Sequence, residues 1–137
     1  MSPDKVRIAE AKSWLVKAAR DLRAATHEFH ASPPLLDDIV FHCQQSVEKS
    51  CKAFLAWHDV PFRKTHDLVE LGRQCSTIQP ELDPLLRKAA PLTEYAWKFR
   101  YPGEAEEPDR QEADDAYALA SEIFRVMVSR LPEETRP

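Results

Sequence analysis

The sequence predicts an all-α protein: an antiparallel, up-and-down helical bundle of four long helices and one short helix. Three observations carry this. Apolar residues recur at steps of three and four through most of the chain, the period of a helix. No stretch shows the apolar–polar alternation of a half-buried strand. With two glycines against eleven prolines, the chain also lacks the glycines that hairpins and phosphate-cradling loops need. Long helical segments joined by short connections bury their apolar faces against one another.

The first helix opens at Ser2-Pro3-Asp4: a serine cap, a proline suited to the first turn, and an acid at the positive end of the helix dipole. Ile8, Ala11, Leu15, Ala18, Leu22, Ala25 and Phe29 form its inward stripe, with Trp14 on the border. The small residues at 11, 18 and 25 let a neighbour approach closely. The turn Ala31-Ser32-Pro33-Pro34 ends it. The second helix begins near Asp37-Asp38, a pair that can hold metal but more simply complements the helix dipole, and runs to His58-Asp59 before Pro61. Val40, Cys43, Val47, Cys51 and Phe54 form its stripe, and Phe41 and Leu55 widen it. At ~100° per residue, Gln44 and Glu48 fall inside that stripe, while Gln45, Lys49 and Ala56 fall opposite and read as solvated.

A short loop, Pro61 to Lys64, carries two positive charges. Thr65 then reads as the cap of a short third helix containing Leu68 and Leu71 and ending by Ser76. The fourth helix carries Leu82, Leu85, Leu86, Ala89, Leu92, Tyr95, Ala96 and Phe99. Pro91 lies inside that pattern, so a kink is expected there. Arg100-Tyr101-Pro102-Gly103 closes this helix, and an acidic loop, Gly103 to Asp109, is expected to be mobile. The last helix runs from about Arg110 to Arg130 with Ala113, Tyr117, Ala120, Phe124, Met127 and Leu131 inward. The tail, Pro132 to Pro137, is expected to fray. One domain over residues 1–137 is the default for this length.

Composition narrows the function classes. Aromatic residues at 9% and hydrophobic residues at 43% are globular values. A net charge of -4 excludes a generic polyanion binder, so any nucleic-acid contact must come from a local basic patch. No apolar run reaches the ~20 residues of a membrane span. The opening MSPDKVRIAEAKSW has no apolar signal core, which predicts a cytoplasmic protein without membrane contact. Cys43 and Cys51 lie ~12 Å apart along one helix, too far to bridge, and with Cys75 they read as small core residues.

No nucleophile elbow is present, and none of the five histidines has a carboxylate at ligand spacing on its own face, so no metal and no cofactor are expected. His42 points away from the apolar stripe. His66 stands at a helix start, suited to capping or to positioning a charge. What remains is the polar set inside apolar surroundings: Gln44 and Glu48, with Lys52 four residues beyond Glu48, and Arg100 with Tyr101 at the end of the fourth helix. One reading is a buried hydrogen-bonded knot that locks the bundle or a dimer seam. The other is a cleft in which Arg100 with Lys98, Lys64, Arg63 or Lys52 grips phosphates and Tyr101 stacks on a base.

FHCQQSVEKSCKAFL, then THDL, then a tyrosine-bearing fourth helix ending in RYP together resemble the HEPN family (higher eukaryotes and prokaryotes nucleotide-binding domain). Trp14 with KAARDL fits that family's first helix, and the resemblance extends from roughly Ala9 to Leu131. It implies an all-helical bundle, usually a homodimer with a cleft at the dimer interface. In prokaryotes it implies a small protein often encoded beside a minimal nucleotidyltransferase, in two-component or toxin–antitoxin systems. Many members are metal-independent ribonucleases whose signature is an arginine followed, after roughly four to six residues, by a histidine. Arg100 matches the arginine, but Tyr-Pro-Gly-Glu-Ala-Glu-Glu-Pro follows it, and no histidine occurs after His66.

The expectation is therefore a HEPN-like homodimer that binds a nucleotide, an RNA or a separately encoded nucleotidyltransferase. Gln44, Glu48, Lys52, His66, Arg100 and Tyr101 are its candidate binding residues. The alternatives are a ribonuclease toxin with a divergent site, in which Arg100 is catalytic, and a purely structural interaction subunit.

Overall fold

The computed structural model describes residues 2–103 and 106–137. Five α-helices are found in these residues, and no strand: α1 (Pro3–Phe29), α2 (Leu36–Trp57), α3 (Leu68–Ile78), α4 (Asp83–Ala89) and α5 (Arg110–Ser129). The first helix is capped as its sequence predicts, Ser2 Oγ accepting from Lys5 N at 3.3 Å. α1 and α2 form an antiparallel hairpin. Arg7 donates to the Trp57 carbonyl (3.2 Å), Ser46 Oγ to the Ala18 carbonyl (3.0 Å), and His42 Nδ1 lies 2.8 Å from Asp21. Residue numbers thus rise along one helix as they fall along the other.

α5 starts at the end of the molecule where α1 finishes. There Tyr117 Oη lies 2.9 Å from Thr26 Oγ1 and packs edge-on against Phe29. α5 therefore descends beside α2 and antiparallel to α1. The segment from α3 to residue 100 packs against α2 and returns the chain to the start of that helix. A single core runs through the middle, built from Leu15, Val40, Val47, Phe54, Leu71, Ile123 and Met127 with their neighbours. No described helix is long and apolar enough to cross a membrane.

Four sequence expectations are corrected. The fourth long helix does not form: α4 stops at Ala89, and a 3₁₀ segment, Ala90–Ala96, replaces the expected kinked continuation, leaving three long helices and two short ones. Pro91 removes the α-helical donor and crowds the preceding turn. Leu86, Ala89, Leu92 and Tyr95 are nonetheless all buried, at steps of three, which suits the eclipsed faces of a 3₁₀ turn. The cap of α3 is Asp67, which accepts from Val69 N at 2.9 Å; Thr65 Oγ1 instead accepts from Asp67 N at 3.0 Å. The tail does not fray: Glu133–Thr135 forms a 3₁₀ turn packed on α1, and Thr135 is wholly buried. Finally, Lys49 and Ala56 are not on a solvated face, because α2 is wrapped by α1 on one side and by α3, α5 and the 3₁₀ segment on others. The mobility expected of Gly103 to Asp109 falls partly on residues 104 and 105, outside the described residues.

Gly72 sits inside α3, where an added Cβ would meet Leu86 Cβ at 3.5 Å, an ordinary contact. Gly72→Ala should therefore raise stability by about 0.5–1 kcal/mol through helix propensity. Leu71→Ala, one position away and wholly buried, should lower it by about 2–5 kcal/mol. Urea unfolding of the two variants checks both.

Candidate functional site

The candidate residues fall into two groups on opposite flanks of α2. The first is a buried polar knot. Gln44 is wholly buried, and Glu48 and Lys52 are 4% and 5% exposed. Steps of four place the three side chains on one line of the helix. Glu48 is the hub. Lys52 Nζ donates to its Oε2 at 2.9 Å, Gln44 Nε2 to its Oε1 at 3.3 Å, and His66 Nδ1 lies 2.7 Å from Oε1. Gln44 Nε2 also donates to the His66 carbonyl at 3.0 Å. The Lys52 ammonium lies 5.3 Å over the Trp14 ring and 5.8 Å from that of Phe62.

The THDL segment is built around this knot. His66 pins its own backbone to Gln44, Asp67 caps α3, and Leu68 enters the core while its N–H donates to Thr93 Oγ1 at 3.1 Å. The polar atoms of Glu48 and Gln44 are thus satisfied from the same chain, as buried polar groups require. Only the His66 ring, 63% exposed, opens the knot to solvent.

Arg100 does not join this knot. It lies past the last 3₁₀ residue, in a turn closed by Arg100 N donating to the Trp97 carbonyl at 3.0 Å. Its guanidinium pairs with Asp38 Oδ1 at 2.9 Å and stacks over Phe41 at 4.0 Å, at the opening of α2. The group that holds Glu48 from outside α2 is the His66 imidazole, not this guanidinium. Tyr101, next to Arg100 in the chain, is 61% exposed, and Trp97, just before it, 49%.

Asp38 belongs to a second cluster that sequence reasoning missed. His42 Nε2 lies 3.5 Å from Asp38 Oδ2 and 3.7 Å from Glu28 Oε1, while its Nδ1 is held by the buried Asp21 at 2.8 Å. Lys49 reaches the other Asp21 oxygen at 2.7 Å. His42 and Asp38 are one helical turn apart on the same face, so the expectation that no histidine has a carboxylate at ligand spacing is wrong. That spacing was available as a signal in the sequence. The contributions of Asp21 and Glu28 were not, since they depend on the register between α1 and α2. Among the described residues this is the one group of three side chains with metal-ligand geometry.

The cluster's electrostatics follow from crowding. Burial, with Asp38 hydrogen-bonded to it and charged beside it, raises Glu28 from 4.5 to about 7. Burial would raise Asp38 too, but hydrogen bonds from Glu28 and Arg100 and the nearby His42 outweigh it, so its carboxyl sits below the usual range. The hydrogen bond to Asp21, against opposing desolvation, raises His42. The cysteines offer no nucleophile: all three are buried, and burial pushes the Cys43 thiol up to about 12. A groove of about 230 Å³ between α3 and α4, lined by Val69, Arg73 and Arg87, contains none of the candidate residues.

The HEPN domain family matches residues 11–131 of the chain. No curated protein and no solved structure matches it.

Glu48→Ala leaves Lys52 and Gln44 buried without their shared acceptor, and should cost about 3–5 kcal/mol in urea unfolding. Glu28 predicts a pH dependence. Its folded state holds the proton more tightly than the unfolded chain, so its stabilisation is full below pH 4.5 and is lost as pH rises through 7. The full shift would correspond to roughly 3 kcal/mol, and partial solvent screening reduces this to about 1–2. Melting temperatures in metal-free buffer should fall from pH 5 to pH 7.5, and Glu28→Gln should flatten much of that fall, with the contribution of His42, of the same sign, remaining.

Proposed function

The chain belongs to the HEPN domain family, and we propose that it is a nucleotide- or RNA-binding module of that family, working as a homodimer beside a separately encoded minimal nucleotidyltransferase. The observation that carries this reading is the setting of Arg100. Asp38 engages one of its amino groups and Phe41 supports one ring-like face, which fixes the guanidinium. Its other N–H groups have no partner among the described residues, and its side chain is 42% exposed. A held, accessible guanidinium suits a phosphate, which its planar fork matches bidentately. The uncovered Trp97 and Tyr101, near Arg100 in the chain, suit stacking with a base. The carboxyl groups of Asp38 and its neighbours oppose a long polyanion, which favours a single nucleotide or a short RNA end.

Several points support a dimer. HEPN domains commonly dimerise. Leu35, 49% exposed, immediately precedes the helix whose first turn carries Asp38, and leaves apolar surface uncovered at the start of α2. A cleft lined from two copies would enclose what one copy leaves open. The buried knot of Gln44, Glu48, Lys52 and His66 then serves as the brace that fixes the loop before α3, with His66 its only solvent-facing member.

A ribonuclease reading is favoured by one observation. The arginine-then-histidine signature is missing from the sequence after Arg100, yet Arg100 and His42 reach the same Asp38 carboxyl from different elements. An imidazole and a guanidinium in one cluster supply a proton shuttle and a charge stabiliser, the two roles that cleavage through a ribose 2′-hydroxyl needs.

Isothermal titration with ATP and with short RNAs tests the first reading. Wild type should give binding heats, and Arg100→Ala should weaken binding about tenfold to a hundredfold, as expected for the loss of one charged hydrogen-bonding group. Unchanged heats in the variant would count against it. Size-exclusion with light scattering should give twice the 15.7 kDa chain mass. For the ribonuclease reading, RNA incubated with concentrated protein and a chelator should be cut, and both Arg100→Ala and His42→Ala should abolish cutting. Intact RNA removes that reading.

A further inference from the structure

The cluster on α1 and α2 has the construction of a metal site, which neither the knot nor the Arg100 surface requires. A metal-binding imidazole is held by a hydrogen bond from its other ring nitrogen to a carboxylate or carbonyl, which fixes the tautomer and aims the free lone pair. His42 is held in this way. Its Nδ1 lies 2.8 Å from Asp21 Oδ1, and Asp21 is itself buried and fixed through its second oxygen by Lys49 at 2.7 Å. With the Nδ1 proton donated to Asp21, Nε2 presents its lone pair to Asp38 and Glu28.

The spacing agrees with a shared ion. His42 Nε2 stands 3.5 Å from Asp38 Oδ2 and 3.7 Å from Glu28 Oε1. Both separations are too long for good hydrogen bonds. They are close to the ~3.4 Å edge of a tetrahedron whose ligands sit ~2.1 Å from a central ion. All three ligand atoms lie within 4.8 Å of one another. Arg100 occupies only Oδ1 of Asp38, so Oδ2 is left to face inward. A second, separate observation points to a missing ligand. Glu28 Oε2 is inaccessible to solvent and receives no hydrogen bond from any described residue, which a buried oxygen ordinarily does. A cation between the two carboxyl groups would satisfy it.

We propose that His42, Asp38 and Glu28 bind a divalent transition-metal ion of the zinc type, with Asp21 as the residue that positions the imidazole. One nitrogen and two carboxylate oxygens match the borderline character of zinc, and three protein ligands leave a coordination position open to water or a ligand atom. The pairing is long-range: α2 supplies two ligands one turn apart, and the end of α1 supplies the third. The proposal does not depend on nucleotide binding.

The test uses tag-free protein, stripped with chelator, then titrated with zinc chloride by calorimetry and by equilibrium dialysis with elemental analysis. Wild type should bind about one ion per chain and release protons as it does so, because the ligands must be deprotonated. His42→Ala should abolish binding. Asp21→Asn, which keeps all three ligands, should weaken it about tenfold to a hundredfold. His66→Ala, outside the cluster, should leave it unchanged. No zinc bound by wild type, or zinc bound equally by wild type and His42→Ala, overturns the proposal. If His42→Ala fails to fold by circular dichroism, Glu28→Gln decides, and undiminished binding in that near-isosteric variant overturns it. Arg100→Ala retains every ligand, so it should keep zinc while losing nucleotide, and the two readings fail separately.

Discussion

The molecule depends on the burial of polar side chains along α2. This helix is enclosed on almost every side, so its apolar stripe cannot account for its whole surface. Gln44, Ser46, Glu48, Ser50 and Lys52 are all buried with it. A helix placed this way depends on its neighbours to bring hydrogen-bonding atoms to fixed points, because an unpaired buried polar group costs more than a typical contact contributes; of the five, the Ser50 hydroxyl alone has no partner among the described residues. α1 answers on one side, with the Ala18 carbonyl for Ser46 and Asp21 for His42 and Lys49. The segment before α3 answers on the other, with the ring and carbonyl of His66.

These two answers have different consequences. The Glu48 knot is closed and nearly dry, and each oxygen of its acid is occupied. Such an arrangement fixes the loop and gives the THDL segment its shape. The His42 cluster is crowded and incompletely satisfied, with two carboxyl groups competing for one imidazole and one proton. Perturbed titration gathers there, as it does both at functional sites and in structural ion-pair networks. Arg100 reaches this cluster through Asp38 Oδ1 and rests on Phe41.

The helices of the hairpin and α5 were legible because period and caps are local properties. Ser2, Pro3 and the apolar steps to Phe29 specify α1 without reference to anything distant. The fourth segment misled because an apolar pattern at steps of three and four cannot by itself separate an α-helix from a short α-helix followed by a 3₁₀ run. Pro91 decided between them. The tail misled because fraying is a default that the packing of Glu133–Thr135 against α1 overrides, with Thr135 completely covered.

The sequence alone determined that the chain is helical, where most of its helices begin and end, and that Gln44 and Glu48 lie among apolar neighbours. It placed Glu48 beside Lys52, since four residues on a helix is one turn. Only the tertiary structure decided which outside group meets them. His66 is 22 residues from Gln44 in sequence and Arg100 is 62 from Asp38, and no local rule fixes such pairings. They follow from the register of whole helices against one another, which is set by many packing contacts at once. Asp21 beside His42 is the plainest example: each is an ordinary polar residue on its own helix, and only the antiparallel alignment of α1 and α2 makes them one site.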